Sequence, residues 1–117
     1  MIFVLPVPPS INHYYGTMRS GQKYIKPAGV AFRKEVAALL CTRIYKMTGR
    51  VKIEICVHFK DKRKRDIDNV IKALLDALTH AGAWDDDSQI DDLHIMRGEV
   101  VKDGKVVIDI CEISDKF

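Results

Sequence analysis

The sequence predicts an α+β fold: a mixed sheet of about four strands with two main helices packed on it, in the order β-α-β-α-β-β. Three observations carry this. "VKIEICVHF" alternates apolar and polar residues, the period of a strand. "NVIKALLDALTH" puts Val70, Ile71, Leu74, Leu75 and Leu78 on one side at helical spacing. Two more β-type runs follow that helix at the C-terminal end.

Taken in order, residues 2–7 ("IFVLPV") form a short strand, and Pro6 marks an edge position or a strand end. "PPSINHYYGTMRSGQKYIKP" has a loop's share of Pro, Gly, Ser and Asn. Residues 28–46 read as a helix, with Val30, Val36, Ala37, Leu40 and Ile44 near one stripe and Gly49 as a stop. Residues 51–59 are a strand with Val51, Ile53, Ile55, Val57 and Phe59 on one face, and Lys52, Glu54 and His58 on the other. A second helix spans residues 69–80 and stops at Gly82. Residues 93–101 and 105–113 are strands on either side of "KDGK", where Asp-Gly signals a hairpin.

Composition narrows the class. A chain of 117 residues, 47% hydrophobic and 30% charged, is expected to form one soluble domain over residues 1–117. No apolar run reaches the roughly 20 residues of a membrane span, and "MIFVLPVPPS" makes a poor signal peptide. Cys41, Cys56 and Cys111 are odd in number and widely spaced. They read as reduced core or strand residues of a cytoplasmic protein. The net charge of +3 is modest, but charge is concentrated. Five of the six residues 60–65 are basic, and Asp85, Asp86 and Asp87 are consecutive acids.

The basic run ends directly on Asp66 and Asp68, at the threshold of the second helix. Asp68 has a good structural reading as an N-cap. Capping explains neither Asp66 nor the helix's polar side, where Asn69, Lys72 and Asp76 recur. Lys72 lies one turn beyond Asp68, within side-chain reach. Two acids with a third from elsewhere suit a hard cation, which prefers oxygen ligands and leaves room for phosphate oxygens. "WDDDSQ" offers the third acid, although spacing alone favours an ordinary solvated acidic turn. His13, His58, His80 and His94 show no metal-ligand spacing. Trp84 reads as a core or interface anchor.

"RKRDIDNVIKALLDAL" followed by "AGAWDDDSQI" resembles the RusA family of Holliday junction resolvases, as does the opening "PVPPSINHYY". With the strand layout included, the resemblance covers nearly the whole chain. It implies metal ligands at Asp66, Asp68 and Asp87, with Lys72 as the essential lysine. Asp85 stands where an apolar residue is expected after Trp84, so Asp86 is an alternative third ligand. The resemblance further implies a Mg²⁺-dependent (or Mn²⁺-dependent) endodeoxyribonuclease of bacterial or phage origin. Such enzymes work as small homodimers on four-way DNA junctions in recombination and repair, and no membrane is involved.

In such a site Lys72 is an electrostatic stabiliser beside the phosphate or the attacking water. Lys60, Lys62, Arg63, Lys64 and Arg65 hold backbone phosphates, and Asn69 bonds a ligand or DNA. Tyr14 and Tyr15 have two equal readings: stacking on opened bases, or packing in the core and loop. Arg19 and Lys23 extend the basic surface or solvate the loop. A C₂ homodimer is expected, with interface material on the last strand, where Val107, Cys111 and Ile113 alternate against Val106, Ile108 and Ile110; Trp84 is a further candidate there. Two other classes remain: a non-catalytic nucleic-acid-binding module, and a metal-dependent nucleotide phosphohydrolase.

Overall fold

The computed structural model describes residues 1–41 and 45–113. Six strands and three helices follow one another as β1 (Ile2–Leu5), α1 (Ile11–Tyr14), β2 (Tyr15–Thr17), β3 (Lys23–Ile25), α2 (Pro27–Leu40), β4 (Val51–His58), α3 (Asp68–His80), β5 (Ile90–Arg97) and β6 (Lys105–Glu112). A single 3₁₀ turn, Asp87–Gln89, precedes β5. The main sheet has the order β1-β6-β4-β5, while β2 and β3 form a separate antiparallel ribbon. The class is the predicted one: α+β, with a mixed four-stranded sheet and two main helices.

The sheet is mixed because α3 is a crossover. It returns the chain so that β5 lies parallel to β4 and beside it. The expected β5–β6 hairpin is therefore absent. β4 occupies the place between these two strands, and β6 pairs antiparallel with β4 on one side and with β1 on the other. The connection instead wraps the C-terminal end of β4. Gly98 N–H donates to the Val57 carbonyl and Val101 N–H to that of Phe59. The Asp-Gly pair does turn, with Asp103 and Gly104 both at positive φ, but it turns the chain over β4.

α2 and α3 cover one face of the sheet. The alternation in β4 buries Val51, Ile53, Ile55, Val57 and Phe59 as read. They meet Val106, Ile108 and Ile110 of β6, Phe3 and Leu5 of β1, and Val70, Ala73, Leu74, Ala77 and Leu78 of α3. Each fully buried Leu or Ile contributes roughly 1.5–3 kcal/mol by leaving water. α3 closes on a Schellman motif: Ala83 N–H donates to the Leu78 carbonyl and Gly82 N–H to that of Thr79. Gly82 supplies the required left-handed residue, at φ 88°.

α2 departs from expectation. It ends at Leu40 and not at 46, and it buries Gly29, Phe32, Val36 and Leu40. Val30 is 41% exposed, so the predicted stripe was out of phase at its start. Ile44 lies outside the described residues. β5 begins three residues earlier than read, at Ile90, and ends at Arg97. Trp84 is a core residue, 1% exposed, with its indole N–H donating to Thr79 Oγ1 at 2.7 Å. That burial removes it from any subunit interface. All three cysteines are free; Cys41 and Cys111 are exposed and Cys56 is half-buried in β4. Among the described residues no helix is long and apolar enough to cross a membrane.

Candidate active site

The segment between β4 and α3 carries the basic run, and the structure divides it. Arg65 Nη1 binds the Asp61 carboxylate at 2.6 Å, and its guanidinium lies 5.2 Å from the centre of the Phe59 ring. Arg97 covers the same ring at 5.1 Å and donates to the Arg65 carbonyl. Arg63 also addresses Asp61, through its backbone N–H at 3.0 Å and more distantly through its guanidinium. The Arg65 hydrogen bond first, then that N–H, hold the Asp61 carboxyl down at about 2. Lys60, Lys62 and Lys64 are exposed and form no ion pair among the described residues. The run thus consists of a brace (Arg63, Arg65) and three uncommitted ammonium groups.

Asp66 and Asp68 follow the brace. Asp68 is the first residue of α3, and the cap position before it belongs to Ile67, which makes no side-chain bond. The capping reading of Asp68 fails: its carboxylate accepts no backbone N–H, and the first turn closes on the Asp66 and Ile67 carbonyls instead. Neither carboxylate has a hydrogen-bond or ion-pair partner among the described residues. Asp68 still gains from the positive end of the helix dipole. Asp66 lines a cleft of about 700 Å³ with Val7, Pro8, Ser10, Lys60, Lys64 and Asn69 among its walls.

The acidic turn stands at the other end of α3, and its three acids differ. Asp85 pairs with Lys46 at 2.7 Å. Asp86 is an N-cap: its carboxylate accepts from Ser88 N–H at 3.0 Å, while Gln89 reaches back to the N–H groups of Asp85 and Asp86. Asp87 has no cation partner among the described residues. Burial, then a hydrogen bond that its protonated form donates to Asp86, push its carboxyl up. The charge of Asp76 on α3 adds to this, and Asp87 in turn acts on Tyr15. The 3₁₀ turn that carries Asp87 packs against α3.

Asp66 and Asp68 stand at the start of α3, and Asp87 lies in the turn that follows it. Among the described residues no group of three or more Asp, Glu, His or Cys could hold a metal ion. Lys72 sits between, exposed, with its ammonium 5.3 Å from the centre of the Tyr15 ring. Among the described residues it pairs with neither Asp68 nor any other acid.

Tyr14 is buried completely, and its hydroxyl donates to Asp76 Oδ2. Base stacking by Tyr14 is thereby excluded: exposing its ring would break the core. Arg33 completes the cluster, with Nε 2.9 Å and Nη2 2.8 Å from the same oxygen. Burial, then the Asp76 hydrogen bond, push the Tyr14 phenol well above its ordinary value. Tyr15 is half-buried and keeps a face towards Lys72. Arg19 and Lys23 are exposed on the β2–β3 ribbon. Sequence reading missed Arg33 and Asp76 as a unit, since no local spacing links positions 14, 33 and 76.

This arrangement joins free carboxylates, free lysines and a cleft at one end of a helix, which suits a polyanion approached with a cation. The sequence model of the family described as Endodeoxyribonuclease RusA matches residues 6–111. The chain belongs to the RusA family. It is 41% identical over 116 residues to the "Crossover junction endodeoxyribonuclease rusA" of Enterobacteria phage HK97, covering 96% of this chain and 94% of that one. The protein of the same name from Escherichia coli strain K12 is 39% identical over 114 residues, and that of Enterobacteria phage 82 is 40% identical, with the same coverage. For this RusA-family chain, the stretch at residues 60–72 and the turn at 85–89 both lie within the matched range.

Proposed function

We propose that the protein is a divalent-cation-dependent endodeoxyribonuclease that resolves four-way DNA junctions by two symmetric nicks. The observation that carries the reading is the pair of unpartnered carboxylates, Asp66 and Asp68, inside the most basic segment of the chain. Surface acids among so many cations ordinarily pair with them, as Asp61 does. Nearly full-length likeness to junction endonucleases supplies the substrate class.

The donor set fits Mg²⁺ or Mn²⁺. Both are hard ions, and Mg²⁺ takes one or two protein carboxylates while its other positions go to water and phosphate oxygens. Asp66 and Asp68 would hold it, with Asp87 in the acidic turn as a further ligand. Asp86 is the weaker choice, because its carboxylate already caps the turn. The ion supplies an activated water and charge for the leaving 3′ oxygen. The chain's own groups do the rest. Lys72 places a positive charge over the α3 surface, where the phosphorane gains negative charge. Lys60, Lys62 and Lys64 hold flanking phosphates without reading sequence, and Asn69 offers an amide to the cleft beside Asp66.

Two nicks across a branch point require two sites, so the working unit is a C₂ homodimer. The sheet face away from the helices supports this: Ile2 is 68%, Val4 56% and Met96 63% exposed there, beside Cys56 and Val107. A mass near twice 13.3 kDa in sedimentation would agree.

The test is cleavage of a mobile four-way junction with and without Mg²⁺, for wild type, Asp66→Asn, Asp68→Asn and Lys72→Ala. All three variants should bind the junction in EDTA and fail to cut it with Mg²⁺. Normal cutting by Asp66→Asn would refute the reading. Nucleotide triphosphates as the better substrate would point to a phosphohydrolase.

A further inference from the structure

We propose that Tyr15 is the positioning residue for Lys72. Its ring carries the ammonium, and the Tyr14–Arg33–Asp76 cluster beneath fixes that ring. The catalytic consequence rests on the nuclease reading above, while the contact stands on geometry alone.

Lysine is a flexible point charge, so a lysine that must meet one phosphate needs restraint. On α3 the obvious restraints are Asp68 and Asp76, each one turn from Lys72. A salt bridge to either would hold the ammonium but also neutralise it. Lys72 forms neither. Asp76 is unavailable because Arg33 and the Tyr14 hydroxyl both bind its Oδ2. The ammonium instead sits over Tyr15, 5.3 Å from the ring centre, within cation–π range. A ring face attracts a cation without cancelling its charge, so the ammonium keeps its field for a phosphate.

The ring is itself held. Tyr15 lies against Tyr14, with centroids 4.6 Å apart and planes tilted 50°. Tyr14 packs edge-on against Phe32 at 6.3 Å. The Tyr14 carbonyl accepts the Lys26 N–H at 2.9 Å, at the start of α2. α2 can come this close because residue 29 is glycine: a Cβ there would lie 2.7 Å from that carbonyl. A continuous packed path thus runs from α2 through Tyr14 and Tyr15 to Lys72. It also gives the two tyrosines of "INHYYG" separate tasks, one as anchor and one as platform.

The test reads position and rate separately. In the full-length protein, the Lys72 ε-methylene protons should be shifted upfield by the ring current in NMR spectra. The shift should persist in Tyr15→Phe and vanish in Tyr15→Leu, with Tyr15→Met as the second variant should Leu not fold. In junction cleavage with Mg²⁺, Tyr15→Phe should keep kcat within about twofold. Tyr15→Leu should lower kcat by about 2- to 30-fold, the range of a cation–π contact, with KM unchanged. An unshifted Lys72 in wild type would overturn the proposal. So would a raised KM with unchanged kcat in Tyr15→Leu, which would make Tyr15 a DNA contact. If the NMR shifts behave as expected and the wild type cuts no junction, the positioning contact is upheld and the nuclease reading falls.

Discussion

Converting Lys60, Lys62 and Lys64 together to alanine should flatten the salt dependence of junction binding. The three ammonium groups are exposed and free of ion pairs among the described residues, so each is available to displace a counterion from DNA. Each phosphate contact contributes about 0.9 to the slope of log K against log salt on duplex arms, so removing three lowers it by about 2.7. Across a fourfold rise in salt that slope is equivalent to about 40-fold in affinity. The variant should therefore bind far more weakly than wild type at low salt, and the two should converge as salt rises. Arg63→Ala with Arg65→Ala should act differently. Both guanidiniums already serve Asp61, and Arg65 also covers Phe59, so the slope should change by less than about 1 while thermal stability falls. The assay is fluorescence anisotropy of a labelled four-way junction in EDTA over a salt series. An unchanged slope in the triple lysine variant, or a larger change in the double arginine variant, would refute this division of the basic run.

Asp87→Asn should raise the melting temperature at pH 7 while lowering cleavage. Burial holds the Asp87 carboxyl above its ordinary value, so its ionisation works against the folded state, and that cost grows as pH rises from 3.8 through the raised value; a lower melting temperature in the variant would contradict this. Asp61 has the opposite sign. Its carboxyl titrates near 2 against 3.8 unfolded, so its contribution is complete above 3.8 and is lost as pH falls towards 2. Acid unfolding followed by circular dichroism should be less steep in that window for Asp61→Asn. Asp68→Asn should leave stability within about 0.5 kcal/mol in urea unfolding, since a surface side chain without a cap bond has little to lose; a loss near 1–2 kcal/mol would restore the capping role.

The elements that were legible in the sequence are those whose periodicity reports burial directly. β4 alternates because one face packs on α2 and α3, and α3 shows a leucine stripe with a glycine stop because both are needed locally. What failed depended on distant parts of the chain. Asp-Gly marks a turn wherever one is needed, and only the α3 crossover decides that β4 stands between β5 and β6. The start of α2 was misphased because Gly29 is buried for want of a side chain, which no hydrophobic pattern reveals. Within residues 8–27, α1 and the β2–β3 ribbon are too short for any period to emerge.

The puzzle of acids set against a basic run has a physical answer in Asp61. Placed inside the run, it takes both Arg65 and Arg63, the two cations whose planar heads bind carboxylates most firmly. The lysines left over are strongly hydrated point charges that do not lock onto a carboxylate in the same way. Asp66 and Asp68 thereby stay open beside a high positive potential. At the far end of α3, Arg33 engages Asp76 in the same manner and leaves Lys72 uncommitted. In both places an acid–arginine pair settles the strong local partnership, and a weaker, exchangeable charge remains for the substrate. Asp61→Ala should therefore release Arg65 to Asp66 and slow cleavage more than it weakens binding, whereas Asp61→Glu should restore the rate. If Asp61→Ala cuts as fast as wild type in single-turnover assays with saturating enzyme, the carboxylates are kept open by something other than this pairing.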